Sequence, residues 1–253
     1  MTALLETSGL TKRFGGLKAV DDVSFSMAEG ELFGIIGPNG AGKTTLFNLV
    51  TGTLRPTFGE VRFRGDMLTG LKADAVARKG IVRTFQATTV FRETTVFDNV
   101  RRAHLLRTLH QPGRLLTGRA EWKASEAEAR EILELLELDR FATQKARELP
   151  YGSQKLLGIG MALATRPQLL LMDEPAAGLN PNETRALAGL FARLRDRGVD
   201  IVLVEHDVRL VMSVCDRILV LNYGQAIALG KPDVIRNDPQ VIEAYLGGAD
   251  EIA

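Results

Sequence analysis

Residues 32–50 read LFGIIGPNGAGKTTLFNLV, and this stretch decides the fold. The apolar run at residues 32–36 is typical of a buried strand, and residues 46–50 are typical of a helix. Between these two runs, residues 37–44 match the spacing G-x-x-x-x-G-K-[ST]. The fixed positions are Gly37, Gly42, Lys43 and Thr44. Glycines at such positions let the chain turn so tightly that successive backbone N–H groups point into one concavity. The pattern predicts a phosphate-binding loop between a strand and a helix.

This loop carries the chemistry needed to hold a nucleoside triphosphate. Lys43 is placed to reach the β- and γ-phosphates, and the Thr44 hydroxyl is placed to bind Mg²⁺. The helix that these two residues begin adds the positive end of its dipole. The alternative is a purely structural role, in which a glycine-rich turn caps an ordinary helix. The expected nucleotide contacts are Gly37, Pro38, Asn39, Gly40, Ala41, Gly42, Lys43, Thr44 and Thr45.

A second apolar run, at residues 169–172, leads directly into Asp173, Glu174 and Pro175. The C-terminal edge of an open α/β sheet is where ligands bind, and a carboxylate that follows a buried strand lies at that edge. We expect Asp173 to hold Mg²⁺ through water, opposite Thr44. Glu174 is one residue further and is expected to polarise an attacking water. Without a phosphate loop in the same chain, a solvated strand end would explain these acids equally well.

A third apolar run, at residues 201–204, ends in Glu205, His206 and Asp207. A histidine at this edge of the sheet is placed to donate a hydrogen bond to the γ-phosphate and to orient water or Glu174. The alternative is a surface histidine with structural hydrogen bonds, and we assign His104 and His110 to that ordinary role.

Composition narrows the class of protein. The chain has 253 residues, of which 45% are hydrophobic and 25% charged, as in ordinary globular proteins. The formal net charge of +1 provides no general attraction to nucleic acid or anionic lipid. A single cysteine, Cys215, excludes an internal disulfide. No apolar run approaches the roughly 18–20 residues that span a bilayer, and the start of the chain has no signal-type core. We expect a soluble, cytosolic chain that reaches a membrane only through a partner.

The order of apolar runs predicts an α/β fold with a mainly parallel sheet. The predicted strands are residues 23–27, 32–36, 61–63, 81–85, 169–172, 201–204 and 218–221. Residues 6–36 and 58–64 contain short strands with turns and predict an antiparallel β subdomain. A helical subdomain is expected at about residues 92–165, with an amphipathic helix over residues 124–138. The basic stretch at 99–120 is interpreted as a solvated helix and loop or, alternatively, as a surface near lipid headgroups or a partner.

Together these motifs resemble the ATP-binding cassette (ABC) ATPases along nearly the whole chain. The resemblance implies one cassette over residues 1–253 that hydrolyses ATP with Mg²⁺. Phe14 lies where the family places an aromatic ring on adenine. RTFQ resembles the family's Q-loop, whose glutamine, here Gln86, contacts Mg²⁺ or water and links the site to a membrane subunit. Residues 88–91 are further candidates for that link, and His206 matches the family's switch histidine.

Two further family segments lie between those motifs. AGLN at residues 177–180 resembles the D-loop, and Asn180-Pro181-x-Glu183 also has the pattern of a helix start. The signature segment, commonly LSGGQ, reads LPYGSQK at residues 149–155 and lies in the predicted helical subdomain. Its Pro150 replaces a phosphate-binding serine and has neither a hydroxyl nor an N–H. The expected contacts with nucleotide on an opposite cassette are Tyr151, Gly152, Ser153 and Gln154.

Sequence similarity that is less specific than these motifs indicates one subfamily. The segments RTFQATTVF, EPAAGLNPNET, EHDVRLVM and DPQVIEAYLG are similar to the ATPases of branched-chain amino-acid uptake systems, the LivG type, over about residues 5–247. This resemblance implies a second cassette, identical or different, transmembrane permeases, and indirectly a periplasmic binding protein. It implies a peripheral position on the cytoplasmic face of the cell membrane and no nucleic-acid partner.

Other functions remain open from the sequence. The cargo of an ABC importer could instead be urea, short amides or other amino acids, and some cassettes handle DNA or ribosomes. A small-molecule P-loop kinase or GTPase would not explain Gln86, the signature segment and His206 in this order. The departure at Pro150 also fits a regulatory nucleotide-binding subunit with little turnover.

Overall fold

A computed structural model describes residues 3–84, 90–109 and 118–246. The chain divides into two compact units. The sheet unit comprises Met1–Arg83, Gln168–Ala177 and Phe191–Ala253, and the helical unit comprises Thr84–Pro167 and Gly178–Leu190.

The sheet unit contains a six-stranded sheet and a four-stranded sheet. In chain order, the strands are β1 (Leu5–Phe14), β2 (Leu17–Met27), β3 (Leu32–Ile36), β4 (Phe58–Phe63), β5 (Asp66–Met67), β6 (Ile81–Thr84), β7 (Leu169–Asp173), β8 (Asp200–Val204), β9 (Arg217–Asn222) and β10 (Gln225–Gly230). The helices of the chain are α1 (Lys43–Val50), α2 (Ala73–Arg78), α3 (Val96–Leu109), α4 (Gly118–Leu135), α5 (Tyr151–Leu163), α6 (Pro181–Asp196), α7 (Val208–Val214), α8 (Pro232–Arg236) and α9 (Pro239–Leu246).

The six-stranded sheet has the order β10-β9-β3-β8-β7-β6. Strand β3 pairs in parallel with β8 and β9, and β7 pairs in parallel with β8, whereas β10 is antiparallel to β9. Every residue of β3, β7 and β8 is buried, so these strands are covered on both faces. Such strands have near-continuous apolar runs. The mainly parallel sheet predicted from these runs is confirmed. Strand β10 was not among the predicted strands.

The four-stranded sheet has the order β2-β1-β4-β5 and is antiparallel. Its burial alternates at the start of β1, where Leu5 and Thr7 are buried while Glu6 and Ser8 lie further out. One face therefore packs on the core and the other faces solvent. Strands β1, β2 and β4 confirm the antiparallel subdomain predicted for residues 6–36 and 58–64, except that residues 32–36 form β3 of the mainly parallel sheet.

One apolar cluster joins the two sheets to α1. The rings of Phe25 on β2 and Phe33 on β3 stack with centroids 5.2 Å apart. Phe47 of α1 is fully buried in the same cluster. The strand before the glycine-rich loop and the helix after it are thus both anchored in one core, which fixes where the loop lies.

Helix α4 ends at Leu135, three residues earlier than the predicted helix at 124–138. The backbone explains the difference. Glu137 adopts a left-handed conformation, with φ 57°, and the N–H of Leu138 donates to the Leu133 carbonyl at 2.8 Å. This is the Schellman arrangement, in which a residue past the helix end returns to cap it. Leu138 is buried although it lies outside the helix. Its apolar side chain therefore reflects packing at this cap and not a continuation of the helix.

His104 of α3 is buried, which corrects the surface position expected for it but not its structural role. Its Nδ1 lies 2.6 Å from Oε2 of Glu128, and its Nε2 lies 3.4 Å from Oε1 of Glu121. Glu128 also receives two hydrogen bonds from Arg166, at 2.9 and 3.0 Å. The histidine therefore serves the packing of the helical unit, as a structural residue. His110 lies outside the described residues.

The basic stretch is described only in part. Arg101 is held by Asp98 at 2.6 Å, and its guanidinium lies 4.1 Å from the centroid of the Trp122 ring. The lipid or partner role of the remaining stretch stays a prediction. In the parts of the chain that the structure describes, no helix combines the length and apolar character required to cross a bilayer.

Asp200, at the start of β8, provides a test of the packing. It is 6% exposed, and its Oδ1 accepts the N–H of Gly30 at 2.5 Å. Burial raises the pKa of Asp200 above its ordinary value of 3.8, and the nearby charge of Glu29 adds to the effect. The folded state therefore holds the proton more tightly than the unfolded state, so ionisation of Asp200 lowers stability.

We predict that Asp200→Asn raises the melting temperature by about 1–3 °C at neutral pH, because the amide keeps the acceptor and removes the charge. The gain should be full above the raised pKa and should disappear below pH 3.8. Thermal unfolding over a pH series measures it, with the exposed Asp139→Asn as the control. A pH-independent effect would contradict this account of Asp200.

Candidate functional site

The glycine-rich loop curls around its own lysine. Lys43 is 6% exposed, and its Nζ donates to the carbonyl oxygens of Gly37 at 2.5 Å and Pro38 at 3.0 Å. Gly42, at the N-cap of α1, has φ 100°, and its carbonyl accepts the N–H of Leu46 at 2.8 Å. The loop therefore ends by turning directly into the helix, whose first N–H groups have no partner within the helix itself.

A cleft of about 430 Å³ opens over this loop. Its walls are formed by residues 39–45 of the loop, residues 17–19 at the start of β2, Glu174, His206 and Tyr223. The volume falls in the range of small-molecule sites, and its lining comes from the sheet unit alone. The structure thus brings the predicted loop together with two of the side chains predicted to act on water.

Glu174 and His206 face each other across the edge of the sheet. Oε1 of Glu174 lies 2.7 Å from Nε2 of His206. Glu174 follows β7 in a left-handed conformation with φ 50°, and its N–H donates to the Val204 carbonyl at 2.8 Å. That bond continues the β7–β8 ladder by one residue and sets the direction of the acid. The side chain of Glu174 is 15% exposed and that of His206 is 36% exposed, so the pair borders the solvent of the cleft.

Glu205 holds the chain beside this pair. It is 2% exposed, and its Oε1 accepts the N–H of Ala176 at 2.6 Å while its Oε2 accepts the N–H of His206 at 3.2 Å. A buried carboxylate with backbone donors fixes the segments after β7 and β8 relative to each other. Asp207 continues this end as the N-cap of α7, where it accepts the N–H groups of Arg209 and Leu210.

Asp173 is buried and forms an ion pair that the sequence did not suggest. Its Oδ2 lies 2.5 Å from Nη2 of Arg83 on β6, and Nη1 of Arg83 donates to Oδ1 of Asn48 at 2.5 Å. The guanidinium also lies 5.5 Å from the centroid of the Phe47 ring. Arg83 therefore connects the acidic end of β7 to α1, the helix that follows the phosphate loop. Its place within the predicted strand at residues 81–85 did not reveal this role, because the sequence does not show that β6 lies beside β7.

Phe14 is half-exposed at the end of β1, and the ammonium of Lys12 lies 5.1 Å from the centroid of its ring. It pairs with Leu17 across the β1–β2 hairpin, and Leu17 lines the cleft. Gln86 lies outside the described residues, as do residues 88 and 89 of the segment proposed beside it. The predicted roles of Phe14 and Gln86 stay predictions.

The four signature residues lie in the helical unit, at the start of α5. The helix begins at Tyr151, with Pro150 as its N-cap in an extended conformation, and Gln154 Nε2 donates to the Leu149 carbonyl at 2.9 Å. A Cβ on Gly152 would lie 2.6 Å from Oε1 of Glu183. Ser153 is half-buried in the first turn. The segment therefore packs closely against the start of α6, and a side chain at position 152 would displace the carboxylate of Glu183.

The helix start predicted at Asn180 is confirmed. Oδ1 of Asn180 accepts the N–H groups of Asn182 at 2.9 Å and Glu183 at 3.0 Å. Oε2 of Glu183 in turn accepts the N–H of Asn180 at 2.9 Å. This reciprocal pair is a capping box, and it fixes the carboxylate that packs against Gly152.

A family profile described as "ABC transporter" matches residues 20–177, more than half of the chain. The chain belongs to the ABC transporter family. A second profile, described as "Branched-chain amino acid ATP-binding cassette transporter", matches residues 227–251. The chain is accordingly an ATP-binding subunit with the ABC ATPase fold, and ATP hydrolysis is the activity of its class.

Among its relatives, the chain is 47% identical to the high-affinity branched-chain amino acid transport ATP-binding protein BraF of Pseudomonas aeruginosa, over 97% of this chain and 98% of that protein. It is 46% identical to LivG of Escherichia coli K12, a protein described in the same terms, with the same coverage.

Solved cassettes share the fold. The ADP conformation of MJ1267, an ATP-binding cassette of an ABC transporter, is 34% identical and has a TM-score of 0.85 over 98% of this chain and 100% of that chain. The dimeric cassette MJ0796, bound to ADP and Pi, is 27% identical with a TM-score of 0.77 over 90% of this chain and 98% of that chain.

Two glycines of the loop of this ABC ATPase form a matched pair. Both have positive φ, 100° at Gly42 and 79° at Gly40, so alanine is strained at either position. A Cβ at Gly42 would lie 2.3 Å from the Ala19 carbonyl oxygen, whereas a Cβ at Gly40 would meet no atom within 4 Å.

We predict that Gly40→Ala lowers the free energy of unfolding by about 1–2 kcal/mol, the strain of the backbone alone. Gly42→Ala should lower it by at least about 2 kcal/mol more, because the loop must also move away from β2. Urea unfolding of both variants without nucleotide measures the difference. Equal losses would show that the approach of Gly42 to Ala19 does not constrain the loop.

Proposed function

We propose that the chain is the ATP-hydrolysing subunit of a membrane importer of branched-chain amino acids. The observation that carries the catalytic part is the cleft in which the Lys43 loop faces the Glu174–His206 pair. The family supports ATP as the substrate. The names of the relatives and the C-terminal profile support the cargo.

The loop is proposed to bind the triphosphate. Its residues 39–45 line the cleft, and the start of α1 presents N–H groups and the positive end of the helix dipole. The Lys43 ammonium, now bonded to the Gly37 and Pro38 carbonyls, is placed to contact the β- and γ-phosphates. The N–H groups would be in position before the substrate arrives, whereas Lys43 would exchange a carbonyl contact for a phosphate oxygen.

The residues available for Mg²⁺ fit a hard cation. Thr44 is exposed at the start of α1, and Asp173, whose Oδ2 is paired with Arg83, provides a carboxylate at the end of β7. Such oxygen donors, together with phosphate oxygens and waters, are what Mg²⁺ prefers. We propose Thr44 and, through water, Asp173 as its protein contacts, with Gln86 as a third. When bound, the ion would neutralise charge on the β- and γ-phosphates.

Glu174 is proposed to orient and deprotonate the attacking water. Its carboxylate is fixed by the hydrogen bond to His206 and by the backbone bond of residue 174 to β8. His206 is then a group that holds the carboxylate and contacts the γ-phosphate, so the water, acid and phosphate are aligned before reaction. Hydrolysis by positioning and electrostatics of this kind is general for phosphoryl transfer.

A second cassette is proposed to complete each site. Tyr151, Gly152, Ser153 and Gln154 of one subunit would cover the nucleotide bound to the other. Because Pro150 has neither a hydroxyl nor an N–H, the N–H groups at the start of α5 would replace the missing serine. The dimer of MJ0796 with ADP and Pi supports pairing of cassettes in this fold. Phe14 would contact adenine.

The same assignment implies where the subunit works. We propose that it lies at the cytoplasmic face of the cell membrane, bound to transmembrane permeases that a periplasmic binding protein supplies with cargo. ATP binding would close the pair of cassettes, and hydrolysis would reopen it. Because ATP would bind the closed pair more tightly than the open pair, its binding and hydrolysis would drive motion of the permeases.

We predict that Glu174→Gln binds ATP but hydrolyses it at least about 100-fold more slowly, because the amide cannot accept the proton of water. Slow turnover should accumulate the closed pair. Size-exclusion chromatography with light scattering measures the dimer in MgATP, and phosphate release measures turnover. Lys43→Ala is the control that should lose ATP binding and show no ATP-dependent dimer.

Two results would contradict these assignments. Turnover by Glu174→Gln close to that of the natural chain would show that another group activates water. Unchanged hydrolysis by Lys43→Ala would remove the phosphate-binding role of the loop.

We predict that the cargo follows the relatives. The chain, co-expressed with the permeases and binding protein encoded beside it and reconstituted in vesicles, should show ATP-dependent uptake of labelled leucine. Unlabelled isoleucine and valine should compete, while urea and acetamide should not. Competition by urea or amides, without competition by isoleucine, would assign the subunit to a different importer.

A further inference from the structure

The turn between β9 and β10 consists of only two residues, Tyr223 and Gly224. Their φ angles are 47° and 80°, so both are left-handed, as in the two-residue turn that favours Asn-Gly. A tyrosine at the first of these positions is unfavourable, because its Cβ crowds the backbone. Its side chain is also not packed, since Tyr223 is 87% exposed. Neither the turn nor the core explains why an aromatic residue stands there.

This turn is attached to the phosphate loop. The N–H of Gly224 donates to the Ala41 carbonyl at 3.0 Å, and the Gly224 carbonyl accepts the N–H of Asp21 at 2.8 Å. A Cβ on Gly42 would lie 3.4 Å from Cα of Gly224. The backbone under Tyr223 therefore contacts both the loop and β2, and Tyr223 itself lines the cleft.

The order of strands tells which end of the cleft Tyr223 occupies. Strand β3, which carries the phosphate loop, lies between β9 on one side and β8 and then β7 on the other. These strands run parallel to β3, so their C-terminal ends meet the same edge. Glu174 and His206 stand at the ends of β7 and β8, and Tyr223 stands at the end of β9. The loop thus separates Tyr223 from the acid–histidine pair.

We propose that Tyr223 contacts the nucleoside part of the bound nucleotide. This inference rests on the proposed function, in which the γ-phosphate faces Glu174 and His206. The nucleoside then extends to the opposite side of the loop, where Leu17, Lys18 and Tyr223 line the cleft. Tyr223 is a second aromatic contact for the nucleoside, in addition to Phe14, on a different hairpin of the same unit. Its exposed ring offers a face on which a base or ribose packs without hydrogen-bond specificity.

The chain offers a variant that separates this role from folding. Tyr223→Asn creates Asn-Gly, the dipeptide that the turn prefers, so its melting temperature should equal or exceed that of the natural chain. Isothermal titration with MgATP and with magnesium tripolyphosphate then separates the nucleoside from the phosphates. We expect affinity for MgATP to fall by roughly 5- to 30-fold and affinity for tripolyphosphate to stay unchanged. Tyr223→Phe, which keeps the ring, should bind MgATP within about 2-fold of the natural chain.

The failures of the two proposals are distinguishable. Tyr223→Asn that binds MgATP as the natural chain does, or that weakens both ligands equally, would overturn the nucleoside contact. The equal loss would mean that the turn acts through the loop beneath it. Failure of the natural chain to bind either ligand, or binding that survives in Lys43→Ala, would overturn the proposed function of the loop instead.

Discussion

A buried ammonium group organises the site of this ABC ATPase. Lys43 lies almost out of contact with solvent, where an unpaired charge would be strongly unfavourable, and it donates hydrogen bonds to carbonyl oxygens of its own loop. That arrangement requires the chain to curl between β3 and α1. Both flanking elements are anchored in one apolar core, so the curl has a fixed position. The cleft, and every side chain that faces it, is arranged around this loop.

Carboxylates that accept backbone or guanidinium donors hold the surrounding edge. Glu205 fixes the segments after β7 and β8, and Asp173 is joined through Arg83 to α1. These contacts explain how Glu174 and His206, on two different strands, meet at 2.7 Å. Removing one partner from such a buried pair leaves an uncompensated charge, so the geometry of the edge depends on all of them.

The sequence was most informative where functional side chains directly follow an apolar run. The loop around Lys43, the acids after β7 and the histidine after β8 were predictable because parallel strands bring their C-terminal ends to one edge. Arg83 was not, since nothing in its neighbourhood tells that β6 lies beside β7. Likewise, the early end of α4 depended on the left-handed conformation of Glu137, which is an unusual residue for that role.

The capping box at the start of α6 has a mechanical consequence. Glu183 binds the backbone of Asn180 with one carboxylate oxygen, and its other oxygen lies where position 152 admits no side chain. Gly178, nearby, approaches the Tyr151 ring so closely that a Cβ there would lie 3.0 Å from Cε1. The first turn of α5 and the segment before α6 are therefore in close contact at two points. Because the side chains of Glu183 and Tyr151 fill the space between them, we expect the two segments to shift together rather than independently.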